Sequence, residues 1–198
     1  MIIDTHCHAG NNWFLPIESL EFEMNQAGVD GAVLIQHGGT YDNDYLFAET
    51  GKRGDRFKVV VMLDPSGADP LGTLETLAEQ GAAGVRLAPD AEFDSLSKVT
   101  DIWRKAGDLN LVVSSLGNAK RFSAASFKNI IDNCPETQIV IEHLAGVGIT
   151  DPPYTDYELA LECAHRPNTT IKVPGLGEIT PRPLRLLPDF RFDNIPPL

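Results

Sequence analysis

The stretch KVVVML at 58–63 is a short, unbroken run of mostly β-branched apolar residues, and runs of the same kind recur along the chain: IIDTHC at 2–7, GAVLIQ at 31–36, GVRLA at 84–88, NLVVSS at 110–115, QIVIEH at 138–143 and TTIKV at 169–173. Runs of this length that do not alternate with polar residues mark strands covered on both faces, as in a parallel sheet. Between them lie amphipathic segments whose apolar residues recur at three and four: Leu20, Met24 and Ala27; Leu71, Leu74 and Leu77; Leu96, Val99 and Trp103; Phe127, Ile130 and Ile131; Tyr157, Leu161 and Ala164. Gly28, Gly81 and Gly107 follow three of these helices, where glycine adopts a left-handed C-terminal cap without steric penalty. Strand centres recur roughly every 26–31 residues, the length of the βα unit in an eightfold barrel. The expected fold is therefore α/β, a (β/α)8 TIM-barrel type with seven of its eight strands in this chain, because the eighth would fall near residue 200 and the sequence stops at Leu198. Six of the fourteen prolines fall in 174–198, which reads as a loop after strand 7 with no helical period, so residues 1–198 read as one incomplete barrel domain.

Composition narrows the partners. Sixteen basic against twenty-eight acidic residues give a net charge of −12 and a pI near 4.7, which disfavours attraction to nucleic acid or to anionic membrane surfaces. Cys7, Cys134 and Cys163 are odd in number and widely spaced, unlike a disulfide framework or a zinc ribbon, and fit a reducing cytoplasm. No apolar run approaches the roughly 20 residues that span a bilayer, and Asp4, His6 and His8 stand where a signal peptide would be apolar.

In a parallel barrel the chemistry gathers at the C-terminal ends of the strands. On strand 1, alternation puts Asp4, His6 and His8 on one side, toward the barrel mouth, and Ile3, Thr5 and Cys7 on the other, toward the helices. Two imidazoles two residues apart can share a divalent ion, with Asp4 below them as an acceptor that fixes a tautomer. His143 ends strand 6 on the face of Ile139 and Ile141, within reach of that pair, which leaves Glu142 facing the helices as a salt-bridge partner. Arg86 shares its face with Gly84 and Ala88; its fork suits either a substrate carboxylate or lactone oxygen, or a structural ion pair. Gln36 and His37 end strand 2 and only one can point inward, Gln36 being preferred for substrate; Lys172 on strand 7 is a further candidate for substrate binding. His165 reads as surface, and Gly38-Gly39 lacks the spacing of a phosphate loop.

At Ile-Asp-Thr-His-Cys-His (3–8), Ala-Gly-Val-Asp-Gly-Ala-Val-Leu-Ile-Gln (27–36), Gly-Val-Arg-Leu (84–87) and Ile-Glu-His-Leu-Ala-Gly (141–146) the chain resembles the amidohydrolase-related TIM-barrel family, over almost its whole length. The resemblance implies that His6 and His8 are the first-strand metal pair, that His143 is the strand 6 histidine, and that Arg86 binds substrate. Members include lactonases and metal-dependent decarboxylases. Metal-dependent members commonly carry a histidine at the end of strand 5, where this chain has Val112-Val113-Ser114-Ser115-Leu116, which leans toward the lactonase-like branch. The family's general-base aspartate follows a Gly-Ser-Asp motif on strand 8, and that motif is absent here. The expected function is a cytoplasmic hydrolase that opens a carboxylate-bearing lactone or similar cyclic ester. The carbonyl would be polarised by a divalent metal, zinc, on His6, His8 and His143, or by the histidines themselves. A decarboxylase of the same fold and an inactive truncated remnant are the rivals. Unpaired edges at strands 1 and 7 would favour a homo-oligomer.

Overall fold

The computed structural model describes residues 1–89, 96–149 and 152–178. Seven parallel strands, β1 (Ile3–Cys7), β2 (Gly31–Ile35), β3 (Phe57–Val61), β4 (Gly84–Leu87), β5 (Val112–Ser115), β6 (Ile139–Ile141) and β7 (Thr169–Ile171), pair in sequence order in one curled sheet. Six of the seven runs read from the sequence contain one of them, and β3 begins one residue ahead of its run, at Phe57. Helices α1 (Ile17–Ala27), α2 (Asp44–Gly51), α3 (Pro70–Glu79), α4 (Leu96–Asp108), α5 (Ala119–Ser123), α6 (Ala125–Asn133) and α7 (Thr155–Leu161) lie between the strands. Of the segment read as a loop after strand 7, residues 174–178 end in a single 3-10 turn at Leu176–Glu178, and the remainder lies outside the described residues.

The sheet has two apolar faces, as continuous strand runs require. Ala32, Leu34, Val59, Val61, Val85, Leu87, Val113, Ile139 and Ile141 pack outward against the helices in one core with Leu74, Trp103 and Phe127. Val33, Ile35, Val60, Val112 and Val140 line the concave side around a cavity of ≈ 390 Å³. Asp69 caps α3 by accepting from Gly72 N at 2.9 Å, with Pro70 in the first turn, where a missing N–H costs nothing.

Gly28 (φ +68°) and Gly81 (φ +99°) are left-handed helix ends, as expected. Gly107 is not a cap: it lies inside α4, and a β-carbon there would stand 2.4 Å from Thr137 Oγ1. The left-handed residue of that connection is Asn110 (φ +57°). Gly107→Ala is therefore expected to destabilise the fold by about 1–3 kcal/mol through overpacking, despite alanine's better helix propensity; an unchanged urea midpoint would contradict the close approach. On α7 and the 3-10 turn after it, Tyr157, Ala160 and Cys163 are buried while Leu161 is 38% exposed, so the buried stripe is one position out of phase with the expected one. Helix α2 is not among the five segments read from the sequence; Leu46 anchors it, and Arg53 just beyond it reaches Glu18, Glu21 and Glu49.

Candidate functional site

Strand 1 departs from simple alternation. Asp4 pairs with Ala32 and Cys7 with Leu34, so Thr5 and His6 together face Val33 in a bulge. Cys7 stays in the helix-side core, but Thr5 turns to the concave side, which the alternation had assigned to the opposite set. Asp4 is exposed, and its Oδ1 accepts from the backbone N of His6 at 2.9 Å rather than from an imidazole, so it fixes no tautomer.

The bulge brings His6 and His8 together with Nε2 atoms 3.2 Å apart. The Ile35 carbonyl, 2.7 Å from His8 Nδ1, can only accept, which places the proton of His8 on Nδ1 and its lone pair on Nε2. His6 Nε2 then donates to His8, and His6 Nδ1 accepts from Lys172 Nζ at 3.4 Å. Lys172 Nζ also donates to the Thr5 carbonyl at 2.9 Å, a side-chain link from the residue after β7 back to β1.

Strand 6 corrects a second expectation. Glu142 follows Val140 onto the concave side rather than facing the helices, and it is 1% exposed. Arg86 meets it with Nε at 3.0 and 3.2 Å and Nη2 at 2.7 Å, while Ser114 Oγ donates at 2.7 Å. Arg86 Nη1 donates to the Gln36 carbonyl at 3.2 Å, so its fork is occupied by the protein itself. After Glu142 the backbone enters a left-handed turn, with φ of +53°, +49°, +54° and +69° at residues 143–146. Left-handed conformations cost non-glycine residues roughly 1–2 kcal/mol each, and here they persist because Leu144 and Ala145 are buried and Leu144 N donates to the Lys172 carbonyl. The turn carries the His143 ring to 4.5 Å from the His6 ring, a position strand alternation alone would not produce. His143 Nε2 lies 3.7 Å from Glu142 Oε2, and its buried Nδ1 has no hydrogen-bond partner among the described residues.

The structure thus gathers His6, His8, His143, Glu142, Arg86 and Lys172 at one mouth. Gln36 contributes only its backbone: its side chain donates to the Asp42 carbonyl and accepts from His37 N. Sequence reading missed Ser114 and the pair Trp13-Phe14, whose only signal is two adjacent aromatics in the loop after the strand 1 histidines. Phe14 stacks on His8 with centroids 4.5 Å apart. His165 is exposed, as expected.

Burial lowers the pKa of all three site histidines. His6 falls to about 3, because desolvation, with further repulsion from Lys172, His143 and His8, outweighs the attraction of Glu142. His8 and His143 fall for the same leading reason, partly opposed by the Ile35 carbonyl and by Glu142 respectively. Burial alone would raise Glu142, but the hydrogen bonds and charge of Arg86, helped by His6 and Ser114, hold it down at about 2. Near neutral pH the mouth therefore holds neutral imidazoles beside an ionised carboxylate. Because the unfolded chain binds the extra protons, stability contributed by these groups is complete above about pH 6.5. It falls by up to ~1.4 kcal/mol per pH unit for each histidine as pH drops, followed by the Glu142 contribution between 4.5 and about 2. Urea midpoints at pH 7.5 and pH 5 should differ accordingly, and His6→Gln should reduce the difference; a midpoint independent of pH would contradict it.

The donors suit a divalent ion. Ligand atoms of His6, Glu142 and His143 lie within 4.8 Å of one another. Two imidazole nitrogens on one tetrahedral zinc at about 2.0–2.1 Å would stand about 3.4 Å apart, close to the 3.2 Å between His6 and His8. Binding through His6 Nε2 would require the other tautomer, with the ring proton moved to Nδ1, which now faces Lys172 Nζ.

A family model described as Amidohydrolase matches residues 3–196. Among solved structures, the chain is similar to a probable 2-pyrone-4,6-dicarboxylic acid hydrolase from Acinetobacter baumannii with citric acid bound, at 19% identity and a TM-score of 0.75, over 90% of this chain and 72% of that one. It is similar also to an amidohydrolase from Burkholderia multivorans with bound zinc, at 17% identity and a TM-score of 0.72, over 90% and 71%. A third, dihydroorotase from Campylobacter jejuni, matches at 18% identity and a TM-score of 0.54, over 89% and 54%. At these identities the likeness is one of fold. None of the curated proteins matches the chain significantly.

Proposed function

The chain belongs to the amidohydrolase family, and on that premise we propose that it is a hydrolase that opens a lactone or similar cyclic ester at the histidine cluster. The observation that carries this reading is the convergence of three neutral imidazoles and one ionised, buried carboxylate at the C-terminal mouth of the sheet. The similarity to a pyrone dicarboxylic acid hydrolase and to a zinc-bound amidohydrolase supports the choice of ester and of metal.

His6 and His8 would hold a divalent ion, zinc in our reading, which when bound polarises the ester carbonyl. His143 is geometrically able to join them, but its neighbour favours a proton role. A proton taken from water at His143 Nε2 lets the hydroxide add to the ester carbonyl, and the imidazolium, stabilised by Glu142 Oε2 3.7 Å away, returns that proton to the alkoxide as the ring C–O bond breaks. Arg86 and Ser114 hold the Glu142 carboxylate aimed at that nitrogen. Lys172 Nζ, held by the Thr5 carbonyl, would give up its contact with His6 Nδ1 once Nε2 holds a metal, and is the cation nearest to hand for a substrate oxygen. Arg86 would have to leave Glu142 to take a carboxylate, so an acidic substrate group would fall to Lys172.

The test is to incubate the 198-residue chain, with and without added zinc, with a panel of lactones and unsaturated carboxylic acids, following ring opening and carbon dioxide release separately. Ring opening that His143→Ala lowers by about 10²–10⁴-fold is the expected result. Carbon dioxide release without ring opening would replace the lactonase reading with a decarboxylase, and neither product would remove both.

A further inference from the structure

The loops after β1 and β2 build an aromatic surface that the proposed chemistry does not use. Gly10 N donates to the Leu15 carbonyl at 3.1 Å, closing a turn that folds Trp13 and Phe14 back beside the site. Phe14 stacks on His8 at 4.5 Å with 23° between the planes, and Trp13 continues the row, 6.3 Å from Phe14 at 22°. His37 closes the corner, 5.3 Å from each of them, edge-on to the indole. His8, Phe14 and Trp13 form a row of nearly parallel planes running outward from a histidine of the reacting centre. Yet Trp13, its outermost member, is 74% exposed. A large aromatic face left open, and contiguous with a candidate site, is a binding face.

We propose that Trp13 is a specificity-determining residue, and that it binds a planar, unsaturated or aromatic ring of the substrate, fused or conjugated to the ester whose carbonyl lies at His6 and His8. This rests on the lactone-hydrolase reading for the identity of the reacting group, though not for the binding of the ring. A flat conjugated ring stacks offset on indole, whereas a saturated lactone offers no π-face and gains only contact area. The row also sets the direction of entry: reacting carbonyl toward the histidines, ring outward along Phe14 to Trp13.

The experiment compares wild type with Trp13→Ala and Trp13→Phe in three assays. Two are the steady-state hydrolysis of 3,4-dihydrocoumarin, which has a fused aromatic ring, and of δ-valerolactone, which has none. The third is calorimetric binding of chromone, a planar ring system with no ester to cleave. Trp13→Ala is expected to lower the dihydrocoumarin to δ-valerolactone ratio of kcat/KM about 3- to 10-fold, through KM, and to weaken chromone by a similar factor, with Trp13→Phe restoring most of both. The other tryptophan, Trp103, is 1% exposed, so quenching of the red-shifted emission on chromone binding reports Trp13. An unchanged ratio, equal loss on both lactones, or no binding of chromone by the wild type would overturn the proposal. Trp13-dependent binding of chromone with neither lactone opened would uphold the subsite and remove the hydrolase reading instead.

Discussion

Replacing His6 and His8 together with alanine is expected to abolish binding of zinc and to reduce turnover by about 10³-fold or more, since polarisation of a carbonyl by a bound ion is worth several kcal/mol of barrier. The two Nε2 atoms face each other at 3.2 Å, the spacing of two ligands on one ion, and His8 is already committed to the tautomer that leaves its Nε2 lone pair free. The fold should tolerate the change. Both rings are only half-buried, at the mouth, and pack on His143 and Phe14 rather than in the helix-side core. Elemental analysis of the variant after dialysis against zinc, beside a thermal melt, decides the matter. Metal retained at the wild-type level would transfer the site to Glu142 and His143, and metal lost only along with the fold would make the pair structural.

Arg86→Met is expected to cost about 3–5 kcal/mol of stability, the range for breaking one side of a buried ion pair. Arg86 and Glu142 are 7% and 1% exposed, and the methionine keeps much of the stem's volume while leaving the carboxylate, among the described residues, with the Ser114 hydroxyl as its one hydrogen-bond donor and His143 3.7 Å away. The folded-state pKa of Glu142, now about 2, should rise, because burial then acts without the guanidinium that opposes it. Arg86→Met combined with Glu142→Leu should recover most of the lost stability, since replacing a whole buried pair by apolar residues is often neutral; the double-mutant cycle then isolates the pair. A single variant as stable as wild type by urea denaturation would mean that the guanidinium is not held by Glu142 in solution and stands free for a substrate acid.

The positions of the strands, the phases of most helices and the strand-end histidines were legible in the sequence, because each depends on residues near one another in the chain. A run such as KVVVML can hide both faces only in a covered parallel sheet, and a βα repeat brings successive strand ends to the same rim. His6 and His143 therefore had to come near each other. What each side chain does there was decided by tertiary structure. Alternation assigns sides only while the backbone keeps its ladder, and at Thr5 and His6 it bulges, while at residues 143–146 it turns left-handed. The bulge sends Thr5 to the concave side and the left-handed turn carries the ring of His143 onto His6, whereas Glu142 comes inward to Arg86 by keeping step with Val140, the opposite phase to the one expected for strand 6. The Arg86–Glu142 pair joins residues 56 apart in sequence, and the row from His8 through Phe14 to Trp13 depends on how a loop folds back. Neither leaves a local period to read: a charged side chain finds its partner, and an aromatic ring its stack, only when separate elements have docked and water has been excluded between them.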